Sequence, residues 1–197
     1  VFISIPIGVL SAVKRNSLAD RVAMSGALFA QSVPTFWLGI MLILVFGVWL
    51  RWLPVSGRGT FLHLLLPAIT LATFSTARIA RLVRSSMLDV LGQDYIRTAR
   101  AKGLPNWRIY YVHALRNALI PVITLLGLEI GGLLGGALIT ETVFAWPGIG
   151  RLTLQAIQAR DLPLVQGVIT FGALVFVLVN LVVDLSYSFI DPRIRHE

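Results

Sequence analysis

The sequence predicts an all-α, polytopic transmembrane helical bundle, and three observations carry that prediction. Hydrophobic types make up 56% of the 197 residues and charged types only 13%, where a soluble domain carries about 25% charged residues. The mean hydropathy is +0.82. The charges are also clustered, which leaves uncharged runs of the length that a helical membrane span needs, about 20 residues. Abundant apolar surface excludes disorder. A β-barrel is excluded because the runs are continuous, where barrel strands would give short segments of alternating polarity. Backbone groups in lipid must bond within their own segment, so the runs are helices.

Each element follows from the spacing of charges. Val1–Val13 is apolar and ends at Lys14 and Arg15; it reads as the end of a span that starts upstream, so the chain is expected to be N-terminally truncated. Between Arg21 and Arg51 lie 29 uncharged residues, between Arg58 and Arg78 lie 19, and between Asp161 and Asp184 lie 22. From Asn117 to Thr140 the only charge is Glu129. One partial span and four whole ones result, in a single membrane domain over 1–197 with no linker or repeat. Pro34 and Pro67 fall inside apolar runs, where a missing backbone donor predicts a kink or local break.

Basic residues set the orientation. Lys14, Arg15 and Arg21, the eight in Arg78–Arg116, and Arg193 and Arg195 fall on one side; Arg51, Arg58, Arg151 and Arg160 fall on the other. Thirteen against four places the first group in the cytoplasm. The net charge of +8 is therefore a loop signal of a membrane protein, and nucleic acid is not an expected partner. With no cysteine, disulfides, thiolate metal sites and thiol catalysis are absent.

The 39 residues Arg78–Arg116 exceed a simple turn. RIARLVRSSMLDVL continues the preceding span into water, with Arg78, Arg81 and Arg84 on one broad face, where snorkelling to lipid headgroups accounts for them. Tyr95, Ile96, Ala99 and Gly103 then recur at helical spacing. Gly103-Leu104-Pro105 is a helix stop and restart. A short basic helix over about Gly92–Lys102 thus abuts a second over Pro105–Leu115. Its small-residue face fits a groove on another protein and equally fits a solvated surface helix. A DNA-binding helix-turn-helix is the rival reading, and membrane spans on both sides exclude it.

The residues YIRTARAKG, then nine more, then His113-Ala114-Leu115 resemble the cytoplasmic loop of permease subunits of binding-protein-dependent ABC importers. That family's motif is Glu-Ala-Ala, three residues, Gly, nine residues, Ile-x-Leu-Pro. Arg97, Thr98 and Ala99 hold the first three places, Gly103 the glycine and Leu115 the leucine; Arg97, His113 and Arg116 depart from the Glu, Ile and Pro. These departures, with HALRNAL, ETVFAWPGIGRL and DPRIR, are similar to the dipeptide/oligopeptide/nickel subfamily. The resemblance implies the type I importer permease fold in a prokaryotic cytoplasmic (inner) membrane. It implies that 86–116 is a coupling loop in which Tyr95, Arg97, Thr98, Ala99, Arg100, Ala101, Lys102 and Gly103 contact a cytoplasmic ATPase. The implied partners are a second homologous permease, two ATPase subunits, an extracytoplasmic substrate-binding protein, the lipid bilayer and a peptide substrate. A nickel chelate or glutathione is the alternative cargo, and an ion-driven secondary transporter is the alternative class.

LLGLEIGGLLGGALITE holds Gly127, Gly131, Gly132, Gly135 and Gly136 in three overlapping Gly-x-x-x-Gly pairs. Such spacing allows close helix packing, and also allows one helix to slide against another. Glu129 lies in mid-span, where an ionisable group should face the bundle interior or a water-filled cavity; it either meets a substrate amino group or pairs with a buried donor. Glu141, at the outer end, shares the expectation of lining the translocation pathway. Trp146-Pro147-Gly148 is a turn with an interfacial aromatic, and Arg151–Arg160 a short amphipathic helix near the outer face, suited to a binding protein or to the membrane surface. Asn180 and Asp184 suggest polar pairing between helices. His63 and His113 lack companions at ligand spacing, so no metal site is expected. No Gly-x-x-x-x-Gly-Lys-Ser/Thr loop is present. ATP and Mg are therefore expected on partner ATPases, with no cofactor and no catalytic residue on this chain.

Overall fold

A computed structural model of the chain describes residues 1–134 and 137–190, and every regular element among them is helical. In order these are α1 (Ser4–Val13), α2 (Leu18–Ser32), α3 (Thr35–Leu42) continued by π-helical turns over Ile43–Trp49, α4 (Phe61–Leu91), α5 (Asp94–Ala101), π-helical turns over Arg108–Ala114, α6 (Leu115–Ala118), α7 (Ile120–Leu134), α8 (Leu138–Val143), α9 (Ile149–Gln158) and α10 (Leu162–Ile190).

Two helical stretches are long and apolar enough to cross a membrane alone, Phe61–Leu91 and Leu162–Val183. The other two expected whole spans are broken. The run between Arg21 and Arg51 stops at Ser32 and resumes at Thr35, because Pro34 is extended (φ −60°, ψ 134°). A proline both lacks the donor and drives its predecessor from the helical region. Pro67 lies within an uninterrupted α4, so the two prolines differ in effect. The run Asn117–Thr140 bends by 50° between Ala118 and Ile120, and it is non-helical again at Ala137 (φ −84°, ψ 57°).

The chain divides into two compact units. The first comprises Val1–Gln31, Ser75–Gly127 and the chain from Val182 on; the second comprises Ser32–Phe74 and Leu128–Leu181. The first has a continuous apolar core. It takes Val9 and Ala12 from α1, Ile79, Val83 and Met87 from α4, and Ile96 and Ala99 from α5. Ile109 and Ala114 from the π-helical turns, Ala118 from α6, and Val122 and Leu125 from α7 complete it. A close approach occurs at Gly8, where a Cβ would stand 2.7 Å from the Ala80 carbonyl oxygen and 2.6 Å from Val83 Cβ. In the second unit Phe144 is 2% exposed. Its ring stands where a Cβ on Gly39 would be 3.2 Å away, and its carbonyl accepts the Gly57 N–H at 3.0 Å.

Candidate functional site

Within the first unit, α5 is an eight-residue helix with two chemically opposite faces. Gln93 enters it extended, and Asp94 in its first turn complements the helix dipole. Ile96 and Ala99, three apart, are buried in the core. Tyr95, Arg97, Thr98, Arg100, Ala101, Lys102 and Gly103 are exposed. Of the four residues expected on one face, only Ile96 and Ala99 turn inward, and Ala99 packs inside its own chain. Arg97 pairs with Asp94 at 3.2 Å, with both side chains largely in solvent, where such a pair contributes little.

The helix ends as the sequence predicts. Gly103 has φ +73°, its N–H donates to the Arg100 carbonyl at 2.9 Å, and the Leu104 N–H donates to the Ala99 carbonyl at 3.3 Å. These two bonds form a Schellman motif, and Leu104 packs against the core as that motif favours. A Cβ on Gly103 would meet nothing within 4 Å; only the backbone angle demands glycine there. Tyr95 adds a polar tie: Asn117 Nδ2 donates to its hydroxyl at 2.7 Å, and the hydroxyl lies 3.5 Å from the His113 carbonyl.

The helix expected over Pro105–Leu115 is instead wound as a π-helix over Arg108–Ala114. The core explains the register. Ile109 and Ala114, five residues apart, are both fully buried, and i→i+5 winding brings that spacing onto one side. From Ala114 onward the buried spacing is four, to Ala118 and then Val122, and the helix reverts to ordinary winding.

The three arginines of α4 are not equivalent. Arg84, assigned to snorkelling on sequence grounds, forms a two-point ion pair with Asp20: Nε to Oδ1 at 2.6 Å and Nη2 to Oδ2 at 2.8 Å. Asp20 is 2% exposed and also accepts the Asn16 N–H at 2.8 Å, while its own N–H donates to Ser17 Oγ at 3.2 Å. The hydrogen bonds from Arg84 hold the Asp20 carboxyl below its ordinary value against the opposing effect of burial, with the Asn16 N–H acting in the same sense as Arg84. Ser17-x-x-Asp20 is a capping-box spacing at the start of α2; it was the signal available for Asp20. Arg81 Nη1 donates to Gln31 Oε1 at 2.8 Å.

In the second unit Glu141 organises the turn between α8 and α9. Its Oε2 accepts the Arg151 N–H at 2.7 Å, which caps the start of α9. Arg151 Nη1 returns to the Ala145 carbonyl at 2.7 Å, and the Trp146 N–H donates to the Glu141 carbonyl at 2.8 Å. Gly148 is extended, a conformation open to any residue. Space makes it glycine: a Cβ would collide with the Glu141 carboxylate. Gly150 likewise leaves no room, with Leu138 Cα at 2.7 Å from a Cβ.

Glu129 is half-buried on α7. Gly127 lies against Val183, and Gly131 against Phe176, where a Cβ would stand 2.7 Å from Cδ2; Gly132 has open space. These contacts join α7 to α10, once in each unit. Gly135, Gly136, Arg193 and Arg195 lie outside the described residues. Asn180 Nδ2 donates to the Phe176 carbonyl of its own helix at 2.9 Å, a local bond where pairing between helices was expected. His63 Nδ1 accepts from the Thr60 N–H at 3.2 Å. Among the described residues no three His, Asp or Glu side chains converge on a metal-sized site.

The sequence matches the family of binding-protein-dependent transport system inner membrane components over residues 4–196. It is 48% identical over 226 residues to the dipeptide transport system permease protein DppB of Escherichia coli strain K12, covering 99% of this chain and 67% of that protein. It is 49% identical over 218 residues to the di/tripeptide transport system permease protein DppB of Pseudomonas aeruginosa strain UCBPP-PA14, covering 96% of this chain and 65% of that one. It is 46% identical over 197 residues to the glutathione transport system permease protein GsiC of Pectobacterium atrosepticum, covering 100% and 64%. The chain thus spans about two thirds of the length of these relatives. A helical chain of this composition, matched along nearly its whole length, belongs to the binding-protein-dependent transport system inner membrane component family, the permeases of ABC importers.

Proposed function

We propose that this chain is the permease subunit of an ATP-driven importer that carries short peptides across the inner membrane, and that α5 is its coupling helix. In this reading a second, similar permease completes the pathway, two cytoplasmic ATPases bind ATP and Mg, and an extracytoplasmic binding protein delivers substrate. The observation that carries the reading is the division of α5. Ile96 and Ala99 anchor it in the core, so it moves with the inner ends of α1, α4 and α7. Arg97, Arg100, Ala101 and Lys102 stay exposed for a partner with acidic groups around a shallow cleft. Closure of the ATPase pair on ATP then tilts the helices with α5 as a rigid lever. Glu129 and Glu141 remain candidates for the pathway.

The test uses Gly103. Gly103→Asn tolerates positive φ and should keep both ATPase binding and uptake. Gly103→Val resists that angle and projects bulk into open space. It should leave membrane insertion and the partner permease intact while weakening ATPase pull-down and abolishing uptake in proteoliposomes. Normal uptake by Gly103→Val with its ATPases bound would remove α5 from coupling.

Glutathione is a second cargo reading, supported by the 46% identity to a glutathione permease. Stimulation of ATP hydrolysis by dipeptide or by glutathione, in the complex with its binding protein, separates the two.

A further inference from the structure

Gly92 and Gln93 alone separate α4 from α5, and the turn through Gly103 leads from α5 into the π-helical turns. A side-chain contact closes this arrangement: Asn117 Nδ2 donates to the Tyr95 hydroxyl at 2.7 Å, across 22 residues of sequence. We propose that Asn117 is a positioning residue for coupling, a role that rests on α5 being the coupling helix. Through Tyr95 it locks α5 to the start of α7, so that a push on α5 moves the inner ends of α4 and α7 together.

The contact sits where a push has to turn a corner. Asn117 belongs to α6, directly before the bend between Ala118 and Ile120. Tyr95 lies in the first turn of α5, on the side of α4. Its hydroxyl also lies 3.5 Å from the His113 carbonyl, which Asn117 Nδ2 approaches at 3.4 Å. The two side chains thus converge on the end of the π-helical turns. Among the described residues, the other side-chain bonds of α5 stay within it: Arg97 pairs with Asp94, and Thr98 Oγ1 donates to the Asp94 carbonyl.

The apolar contacts do a different job. α5 packs on the π-helical turns, with Ile96, Ala99, Ile109 and Ala114 in one core. Apolar burial is non-directional, so it resists separation better than it resists sliding or rotation. A hydrogen bond at 2.7 Å is directional, and it fixes the angle at which α5 meets α6. Tyr95 is 42% exposed and Asn117 is exposed, so water competes for the bond. Its effect is therefore a bias between a locked and a slipped arrangement, of the size that one hydrogen bond carries.

The assembled importer, with its partner permease, ATPases and binding protein, is reconstituted in proteoliposomes. Uptake and ATP hydrolysis are measured together, with whichever of dipeptide and glutathione stimulates hydrolysis. Tyr95→Phe and Asn117→Leu should keep ATPase pull-down yet lower uptake per ATP hydrolysed by about two- to tenfold, the population shift of one hydrogen bond. The double variant should be no worse than either single one. Asn117→Asp can accept the Tyr95 hydroxyl hydrogen and should keep the ratio, but not in combination with Tyr95→Phe. Tyr95→Phe deletes one oxygen and serves alone if Asn117→Leu fails to assemble. An unchanged ratio in Tyr95→Phe, losses that add, or a ratio kept by Asn117→Asp with or without Tyr95→Phe overturns the proposal. Lost pull-down in Tyr95→Phe does so too, by making Tyr95 an ATPase contact. Failure of the coupling reading looks different: there Gly103→Val takes up cargo normally with its ATPases bound, and the role of Asn117 falls with it.

Discussion

Arg84 reaches Asp20 across 64 residues of sequence and meets both of its carboxylate oxygens, at 2.6 and 2.8 Å. The pair fastens the turn between α1 and α2 to the stretch of α4 that leads into α5. It is lopsided: the Asp20 side chain is 3% exposed and the Arg84 side chain 25%. The carboxylate depends on its partner, while the guanidinium retains access to water.

That asymmetry predicts unequal costs. Removing one member of a buried ion pair typically costs about 3–5 kcal/mol, and partial exposure of the survivor reduces it. Arg84→Ala strands Asp20 in the interior and should lower the thermal midpoint of the purified complex more than Asp20→Ala, which leaves an arginine able to rehydrate. The double variant should recover part of the loss of Arg84→Ala. Additive losses would mean that the pair is not coupled.

The pair also sets a pH dependence. The folded Asp20 carboxyl titrates below its unfolded value of about 3.9, so the folded state binds fewer protons there. Its contribution is fully present above that value and fades as pH falls through the folded one. The midpoint difference between wild type and Asp20→Asn should therefore be constant from pH 6 to 8 and shrink only below about pH 4. A gap that closes between pH 6 and 8 would assign the effect to another group.

Ala99 and Ala101 lie two residues apart on α5 yet should respond oppositely to enlargement. Ala99→Leu forces extra volume into a packed core, at about 1–3 kcal/mol, and should destabilise the permease itself. Ala101→Leu points to solvent and should change stability by less than about 0.5 kcal/mol while weakening ATPase pull-down. Loss of pull-down in Ala99→Leu alone would place the docking face elsewhere.

Glu141→Ala removes the acceptor for the Arg151 N–H and should destabilise α9 by about 0.5–2 kcal/mol. Gly148→Ala should do the same by evicting the carboxylate, and adding it to Glu141→Ala should cost little more, since the carboxylate it displaces is already gone. Protease sensitivity of 145–160 reports the loss. If Glu141→Ala leaves that sensitivity unchanged but abolishes uptake, the residue serves the pathway and not the turn.

Much of this was legible in one sequence because membranes impose a coarse rule: charges mark boundaries, and uncharged runs mark helices. The stop at Gly103 was equally legible, since its chemistry is local. What escaped was set by partners distant in sequence. Arg84 reads as an interfacial cation until Asp20 is placed beside it. Glu141 reads as a pathway-lining acid at the end of a span until Gly148 and Gly150 are seen to vacate room for its carboxylate. Pro34 and Pro67 read alike, because local sequence does not record whether neighbours tolerate a missing donor. The five-residue spacing of Ile109 and Ala114 was visible, but a 3.6-residue template passes over it.

The division of α5 has a consequence for how such chains diversify. Ile96 and Ala99 answer to the permease's own interior, whereas Arg97, Arg100 and Lys102 are exposed and, on the proposed coupling role, answer to the subunit that docks there. The two sets do not touch the same atoms, so they are free to drift separately. If α5 is the docking element proposed above, a lineage can exchange its motor subunit, or share one motor among permeases for different cargoes, by rewriting a few surface charges on one short helix while the bundle beneath stays as it was.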